Sequence, residues 1–247
     1  PHHIWLMVVV VSGVSLIGYL ALRLIGTRQS LVLVGIFGGL VSSTATTLVY
    51  AREARSRAAM LPIGGAIIVI SNLVVLVRLA VLSAVVAPGA LSMLLPVIGT
   101  GLAVGVAALV RQFRKRSAAP ELQAPELSNP TRLRVAVGFG ALYALVLFVS
   151  AWLSEQVGAG GLYALAVVSG FVDVDAITLS SLQLFNTGSI GAGVAVIAIG
   201  FAYLAAVAFK LVLLGFLGGR AMLAQFGLLV AAPALGVAGG LVVFGGF

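Results

Sequence analysis

Long apolar stretches follow one another along almost the whole chain, and short polar stretches separate them. Eight of them are long enough to cross a bilayer, which takes about 20 apolar residues in helical form. They cover residues 4–25, 30–51, 60–86, 89–110, 132–154, 160–182, 189–217 and 221–246. Spanning segments must satisfy their own backbone hydrogen bonds, and the alternating polarity of barrel strands is missing here. The pattern predicts an all-α membrane protein with about eight transmembrane helices.

The most polar interruption lies between the fourth and fifth apolar stretches and contains RKRS and two copies of APEL. We interpret residues 111–131 as a cytoplasmic linker. It would join a first four-helix repeat, residues 1–110, to a second four-helix repeat, residues 132–247. The chain begins at Pro1 rather than Met, which indicates a processed piece or a fragment.

The two halves resemble each other in one block. Gly39–Leu48, GLVSSTATTL, aligns without gaps on Gly170–Leu179, GFVDVDAITL, at an offset of 131 residues. Both blocks lie in the second apolar stretch of their half, and gene duplication is the simplest explanation. If all eight stretches span, the copies share one orientation and are related by a pseudo-two-fold axis along the membrane normal.

Composition narrows the class of protein. The chain is 62% hydrophobic and 8% charged, with a mean hydropathy of +1.24, whereas soluble domains carry about 25% charged residues. Cysteine is absent, which excludes thiolate metal sites and cysteine nucleophiles. No phosphate-binding loop, nucleophile elbow or HExxH motif occurs in the sequence. We therefore expect no enzyme and no resident cofactor.

The basic residues predict an orientation, because cytoplasmic loops are enriched in Lys and Arg. With eight spans, nine basic residues fall on one side and three on the other. The nine are Arg52, Arg55, Arg57, Arg111, Arg114, Lys115, Arg116, Arg132 and Arg134, and the three are Arg23, Arg28 and Arg220. This predicts a multi-pass protein of a bacterial or archaeal inner membrane with both termini of this piece in the cytoplasm. We interpret the basic clusters as topogenic charge beside anionic lipid, not as a nucleic-acid site.

Two acidic residues lie inside an apolar stretch, Asp173 and Asp175. A carboxylate near the bilayer centre costs at least about 2.5 kcal/mol unless it is paired, hydrated or bound to a cation. On an ideal helix residues i and i+2 point about 200° apart, so both cannot face one ligand. Either the helix is unwound at these residues, as the preceding Ser169-Gly170 suggests, or the two carboxylates have separate partners.

The equivalent block of the first half is rich in hydroxyl groups. Hydroxyls commonly bond to their own helix or mediate close helix packing, and this is the structural alternative for each of them. The repeat favours a joint role, since Ser42 and Thr44 occupy the positions of Asp173 and Asp175. The candidate neutral ligands are Ser42, Ser43, Thr44, Thr46, Thr47 and Thr178.

Three further polar residues lie within apolar stretches: Asn72, Arg78 and Lys210. Asn72 is an additional oxygen donor or a structural residue. Arg78 and Lys210 either compensate the aspartates, form an anion gate, or snorkel to the membrane surface. We treat the three as candidate gate or counter-charge residues.

Three segments resemble a known family: FGGLVSSTATTLVYAREAR (Phe37–Arg55), ELSNPTRLRVAVGFGALYA (Glu126–Ala144) and VVSGFVDVDAITLSSLQL (Val167–Leu184). They are similar to the uncharacterised membrane domain that follows an MgtC/SapB-like domain in many bacterial and archaeal proteins. The resemblance implies a multi-helix membrane fold and favours a role in metal-ion handling. It also implies an upstream MgtC-like domain as a partner.

These patterns predict a transporter or channel for a hard cation, with Mg²⁺ favoured because the site offers only oxygen ligands. Two alternatives remain open: a regulatory or sensor module related to magnesium homeostasis that transports nothing, and a Na⁺- or H⁺-coupled solute transporter. The expected partners are the lipid bilayer and the metal cation. A homodimer is a further open partner, and no nucleic acid is expected.

Overall fold

The computed structural model describes residues 31–115, 161–171 and 173–244, and within these ranges it contains helices and no strand. The predicted spans 4–25 and 132–154 and most of the predicted linker lie outside the described residues. The elements are α1 Leu31–Ser56, α2 Met60–Val86, α3 Pro88–Lys115, α4 Gly161–Gly170, α5 Val174–Asn186, α6 Ala192–Leu213, a π-helical turn Leu214–Gly218, and α7 Gly219–Phe244.

Four apolar helical stretches of the described residues are long enough to cross a membrane: α1, α2, α3 and the 53-residue stretch Ala192–Phe244. The last folds in two at Gly219, whose φ of 77° favours glycine. After this turn α7 runs back along α6, because Leu211 packs near Gly227 and Leu241 packs against Gly200. The prediction of a helical, multi-pass membrane protein is confirmed in this coarse form.

α1 folds back on itself at Ser42, whose φ of −170° and ψ of 108° are extended. A Cβ at Gly38 would lie 2.8 Å from Thr46 Oγ1, whereas residues eight apart in a straight helix lie about 12 Å apart along its axis. The arms, residues 31–41 and 43–56, are each about 16–21 Å long and cannot cross a core of about 30 Å. By length and composition α1 qualifies as a candidate span, but the single straight helix expected over residues 30–51 is broken at Ser42. We call the two arms hairpin 1.

α4 and α5 form a second hairpin, hairpin 2. Tyr163 packs edge-to-face on Phe201 and Phe171 packs on Phe209, so α4 runs in the same direction as α6. A short loop, residues 187–191, joins α5 to α6, and the two helices pack together in opposite directions. The single helix expected over residues 160–182 is likewise broken, because the chain is extended at Asp173 between α4 and α5.

The long helices run in alternating directions. α3 is antiparallel to α2, because Leu76 lies near Gly101 and Leu73 near Gly105. α7 is antiparallel to α3, since Gly236 meets Thr100 and Gly240 meets Val97. α6 is antiparallel to α7 and therefore runs opposite to α2. The expectation that both halves share one orientation is wrong for the described helices, because α2 and α6, the third apolar stretches of the two halves, run in opposite directions.

α2 and α6 form the centre of the described bundle. Ile68 and Leu76 of α2 and Val196 and Ile199 of α6 are fully or almost fully buried. The most exposed large apolar side chains include Phe216, Val242 and Leu228 at 74–79% exposure. Such a surface suits lipid, and the arrangement places the polar residues of both hairpins against α2 and α6.

Candidate functional site

The tips of the two hairpins have the same local structure 131 positions apart. Ser42 is extended at φ −170° and ψ 108°, and Asp173 at φ −151° and ψ 106°. Each side chain caps the arm that follows: the Ala45 amide donates to Ser42 Oγ at 3.2 Å, and the Asp175 amide donates to Asp173 Oδ1 at 2.9 Å. Ser and Asp are both preferred N-cap residues. The predicted unwinding at Asp173 is confirmed, and the break at Ser42 was missed although the aligned block pointed to it.

Glycines seat both tips on the central helices. A Cβ at Gly39 would lie 2.7 Å from the Ser71 carbonyl oxygen of α2, and one at Gly170 would lie 2.7 Å from Ala202 Cα of α6. Ser71 and Ala202 are again 131 positions apart. Backbone therefore meets backbone at both contacts, which leaves no room for a side chain.

Arg78 of α2 joins the two tips. Its Nη1 donates to the Leu40 carbonyl of hairpin 1 at 2.8 Å, its Nε donates to Asp175 Oδ1 at 3.1 Å, and its Nη2 donates to Asp175 Oδ2. Leu40 lies at the end of the first arm, where helical carbonyls lose their partners. One guanidinium thus binds oxygen atoms of both hairpins.

The Arg78–Asp175 pair is largely removed from solvent. The side chain of Asp175 is 3% exposed and that of Arg78 is 14% exposed. A bidentate guanidinium–carboxylate pair is among the strongest polar contacts available inside a protein. Of the alternatives for Arg78, the structure supports compensation of an aspartate. The two aspartates have separate partners: Asp175 binds Arg78, whereas Asp173 caps its own helix.

Lys210 and Asn72 form a second polar contact. Lys210 is 1% exposed, and its Nζ donates to Asn72 Oδ1 at 2.9 Å. Asn72 Nδ2 donates in turn to the Val230 carbonyl at 3.1 Å. Lys210 does not snorkel, and the contact ties α2, α6 and α7 together.

Three predicted hydroxyl ligands bond to their own helix. Thr46 Oγ1 donates to the Ser42 carbonyl at 2.8 Å, Thr47 Oγ1 to the Ser43 carbonyl at 2.8 Å, and Thr178 Oγ1 to the Val174 carbonyl at 2.7 Å. This matches the structural alternative, although each oxygen keeps acceptor lone pairs. Ser43 is buried and Thr44 half-buried on the same arm. Among the described residues no group of three or more His, Cys, Asp or Glu could hold a metal.

Other polar groups near these helices carried no sequence signal. The Leu40 carbonyl belongs to an apolar residue, and it can accept a hydrogen bond from Arg78 only because the helix ends there. Ser181 Oγ and Tyr203 Oη are buried and have no hydrogen-bond partner in the described part of the chain. Burial of an unpaired hydroxyl could be found only in three dimensions.

A family model described as a domain of unknown function (DUF4010) matches residues 9–218. The chain belongs to the DUF4010 family. An uncharacterized protein from Aquifex aeolicus (strain VF5) is 28% identical over 174 residues, which cover 69% of this chain and 74% of the relative. No solved structure matches. The DUF4010 match includes both hairpins, Arg78 and Lys210, whereas the link to an MgtC/SapB-like domain stays a prediction.

Proposed function

We propose that this DUF4010 protein is a membrane transporter for a hard cation, with Mg²⁺ as the favoured candidate. The observation that carries the proposal is the guanidinium of Arg78, a cation held by the Leu40 carbonyl of hairpin 1 and the Asp175 carboxylate of hairpin 2. Oxygen atoms from both hairpins thus already cooperate to bind positive charge within the apolar bundle.

We further propose that the chain consists of two inverted repeats. The order hairpin, long helix, long helix occurs twice at an offset of about 131 residues, first as α1, α2 and α3 and then as α4–α5, α6 and α7. Corresponding helices run in opposite directions, as expected for a pseudo-two-fold axis in the membrane plane. Many secondary transporters have inverted repeats with broken helices that meet at a midplane site, and rocking of the repeats gives alternating access.

The ligand chemistry favours a hard cation. The described tips offer carboxylate, hydroxyl and carbonyl oxygens, and neither His nor Cys occurs among the described residues. Mg²⁺ prefers such oxygens and keeps part of its water shell, so a few protein ligands suffice. We propose Asp173 and Asp175 as the charged ligands, and Ser42 and Thr44, at the equivalent positions of hairpin 1, as neutral ones.

A second candidate is cation-coupled transport of an anionic solute. The second arm of each hairpin begins at its tip, after Ser42 and Asp173, so two helix N-termini with their positive dipole ends lie in the same layer as Arg78. In transporters such N-termini bind anionic groups, while carbonyl ends bind the coupling ion. A regulator that transports nothing is the remaining class.

Flux into proteoliposomes tests these candidates. We expect uptake of Mg²⁺ in a series with Mn²⁺, Ca²⁺, Zn²⁺ and Na⁺, and we expect Asp173→Asn to reduce it at least about tenfold. Asn is an equally good N-cap, so this variant removes charge while preserving the tip. Glu53→Gln is the matched control, because Glu53 pairs with Arg57 at the end of α1, away from the tip.

Three outcomes separate the candidates. Mg²⁺ uptake that depends on Asp173 supports the cation transporter. Uptake of an anionic solute driven by a Na⁺ or H⁺ gradient, without net Mg²⁺ flux, supports the coupled transporter. Thermal stabilisation by a cation with no flux of any kind supports the regulator and contradicts transport.

A further inference from the structure

We propose that Arg78 is a resident counter-ion that occupies the cation site when no substrate is bound. It thereby allows the empty transporter to switch between its inward-facing and outward-facing states. This inference rests on the proposed transport function and deepens it. It concerns the competition between a tethered guanidinium and a free cation for the same oxygen atoms.

The geometry supports competition because every nitrogen of the guanidinium is engaged at the site. Nε and Nη2 bind the two oxygens of Asp175, and Nη1 binds the Leu40 carbonyl. A cation that binds Asp175 must displace these contacts, since two positive charges cannot share a 3%-exposed carboxylate without strong repulsion. Arg keeps its proton inside proteins, so it must move aside as a charged group.

The Arg78 side chain lies a short distance from the membrane surface at the end of α2. Arg78 is eight residues from the end of α2 at Val86, or about 12 Å along the axis, and it is 14% exposed. A long basic side chain can turn toward the membrane surface while its stem stays in apolar surroundings. A bound cation would thus leave Asp175 neutralised and Arg78 turned toward the end of its helix.

The counter-ion matters most for the empty carrier. A carboxylate without a partner is costly to carry through the apolar interior. Pairing with Arg78 compensates the charge of Asp175 and lowers the net charge of the empty site from −2 to −1, so the return of the empty site costs less. Without Arg78, the transporter can switch between its inward-facing and outward-facing states only when a cation is bound.

The corresponding positions of the second half have no such polar contact. Leu40 and Arg78 correspond, at the offset of 131, to Phe171 and Phe209, whose rings pack edge-to-face 6.2 Å apart. The tip contact is therefore polar in one half and aromatic in the other. One resident cation serves one asymmetric site.

Competition also sets the class of substrate. A tethered group has a high effective concentration at its own site, so an ion must form stronger contacts than one guanidinium. A divalent ion does so more readily than Na⁺. Arg78 is thus a specificity-determining residue that favours divalent over monovalent cations.

The test compares net uptake with exchange in proteoliposomes that contain the full chain. ²⁵Mg²⁺ is supplied outside, and the lumen contains either no Mg²⁺ or unlabelled Mg²⁺. For Arg78→Gln we expect at least a tenfold loss of net uptake, while exchange stays within about twofold of the native rate. Half-maximal thermal stabilisation should require about tenfold less Mg²⁺, and Na⁺ should also stabilise the variant. Arg55→Gln is the control, because Arg55 likewise donates to a carbonyl, that of Phe216, but at 2.9 Å on the surface.

Two further variants keep the test decisive if Arg78→Gln is poorly folded. Arg78→Lys keeps the charge without the bidentate fork and should show intermediate affinity and net uptake. Arg78→Gln combined with Asp175→Asn removes both charges and should fold without binding Mg²⁺. Native net uptake in Arg78→Gln, or weaker Mg²⁺ binding, overturns the inference while leaving transport intact. If the native protein neither binds nor moves any cation, the proposed function fails and this inference fails with it.

Discussion

The charged contact through which Arg78 joins the hairpins depends on a few side chains. Arg78 can reach Asp175 only because the chain is extended at Asp173, which places Asp175 in the first turn of a new helix facing α2. In a continuous helix, positions 173 and 175 would face opposite directions. The break also allows Asp173 to cap its own helix, so Asp173 accepts from a backbone amide while Asp175 pairs with Arg78.

The two aspartates should respond differently to amide substitution. Asp175→Asn leaves the Arg78 charge buried without its carboxylate, and breaking a buried pair costs about 3–5 kcal/mol. Asp173→Asn replaces one good N-cap by another and should change stability by less than about 0.5 kcal/mol. In thermal unfolding followed by tryptophan fluorescence, we expect a lower melting temperature for Asp175→Asn, by about 10 °C.

The control for this comparison is the charge-balanced double variant. Asp175→Asn together with Arg78→Gln should recover most of the lost stability, since no uncompensated charge remains. If Asp175→Asn melts at the same temperature as Asp173→Asn, the Arg78–Asp175 pair contributes nothing to the stability of the fold. Arg78 would then no longer be supported as the link between the hairpins.

At the scale of elements, the sequence predicts helices well and their folding-back poorly. The apolar length of residues 60–86 predicts α2 with the observed bounds, because both length and hydropathy suit a span. Residues 30–51 are also long and apolar enough for a span, yet a single extended residue, Ser42, divides them. Average hydropathy cannot register one dihedral angle, and N-cap residue types at Ser42 and Asp173 were the available signal.

The site was predicted in part for a related reason. Asp173, Asp175, Arg78 and Lys210 stand out as charges in apolar stretches, so their burial and their need for partners follow from sequence. Which residues pair depends on how the helices pack, and a backbone carbonyl such as that of Leu40 becomes available only where a helix ends.

The glycines beneath the tips give a prediction at this scale. Ala at position 39 or 170 places a methyl group against the backbone of α2 or α6, at 2.7 Å from Ser71 O or Ala202 Cα. Backbone cannot yield as a side chain can, so we expect each substitution to destabilise the protein by at least about 2 kcal/mol. Gly99→Ala is the matched control, since a Cβ there has nothing within 4 Å, and it should be neutral or slightly stabilising. Melting temperature and monodispersity in detergent measure the effect. Unchanged values for both tip variants would mean that the tips are not seated on these helices.

For the whole molecule, the hairpins change how charge is distributed between the two faces. Arg55 at the end of α1 donates to the Phe216 carbonyl beside the turn into α7, so these chain ends lie on one face. Arg220 follows that turn, and its predicted placement opposite Arg55 is wrong. The basic residues of the described part other than Arg78 and Lys210 all lie at this face. They are Arg52, Arg55, Arg57, Arg111, Arg114 and Arg220, together with Lys115 at the end of α3.

The other face is defined by an amide contact. Asn186 Nδ2 at the end of hairpin 2 donates to the Val86 carbonyl at the end of α2, at 2.7 Å. α2 begins at the basic face, so Val86 and Asn186 lie at the opposite one. With eight spans, Asn186 would instead lie on the same side as Arg55. The bias of Lys and Arg predicts that the basic face is cytoplasmic; in that orientation we propose that hairpin 1 enters from the cytoplasm and hairpin 2 from outside.

Single cysteines test this arrangement against eight spans, and the cysteine-free chain gives a clean background. With two hairpins, Cys at Ser56 and at Ala221 should react with an impermeant thiol reagent from the cytoplasmic face, and Cys at Gly89 and at Ser189 from the outer face. With eight spans, position 189 would share a face with position 56, and position 221 with position 89. Labelling of intact cells and of inside-out vesicles distinguishes the two arrangements, because the assignments of positions 189 and 221 reverse together. If position 189 labels with position 56, hairpin 2 crosses the membrane, the repeats are not inverted, and the alternating-access site between the two tips is lost with them.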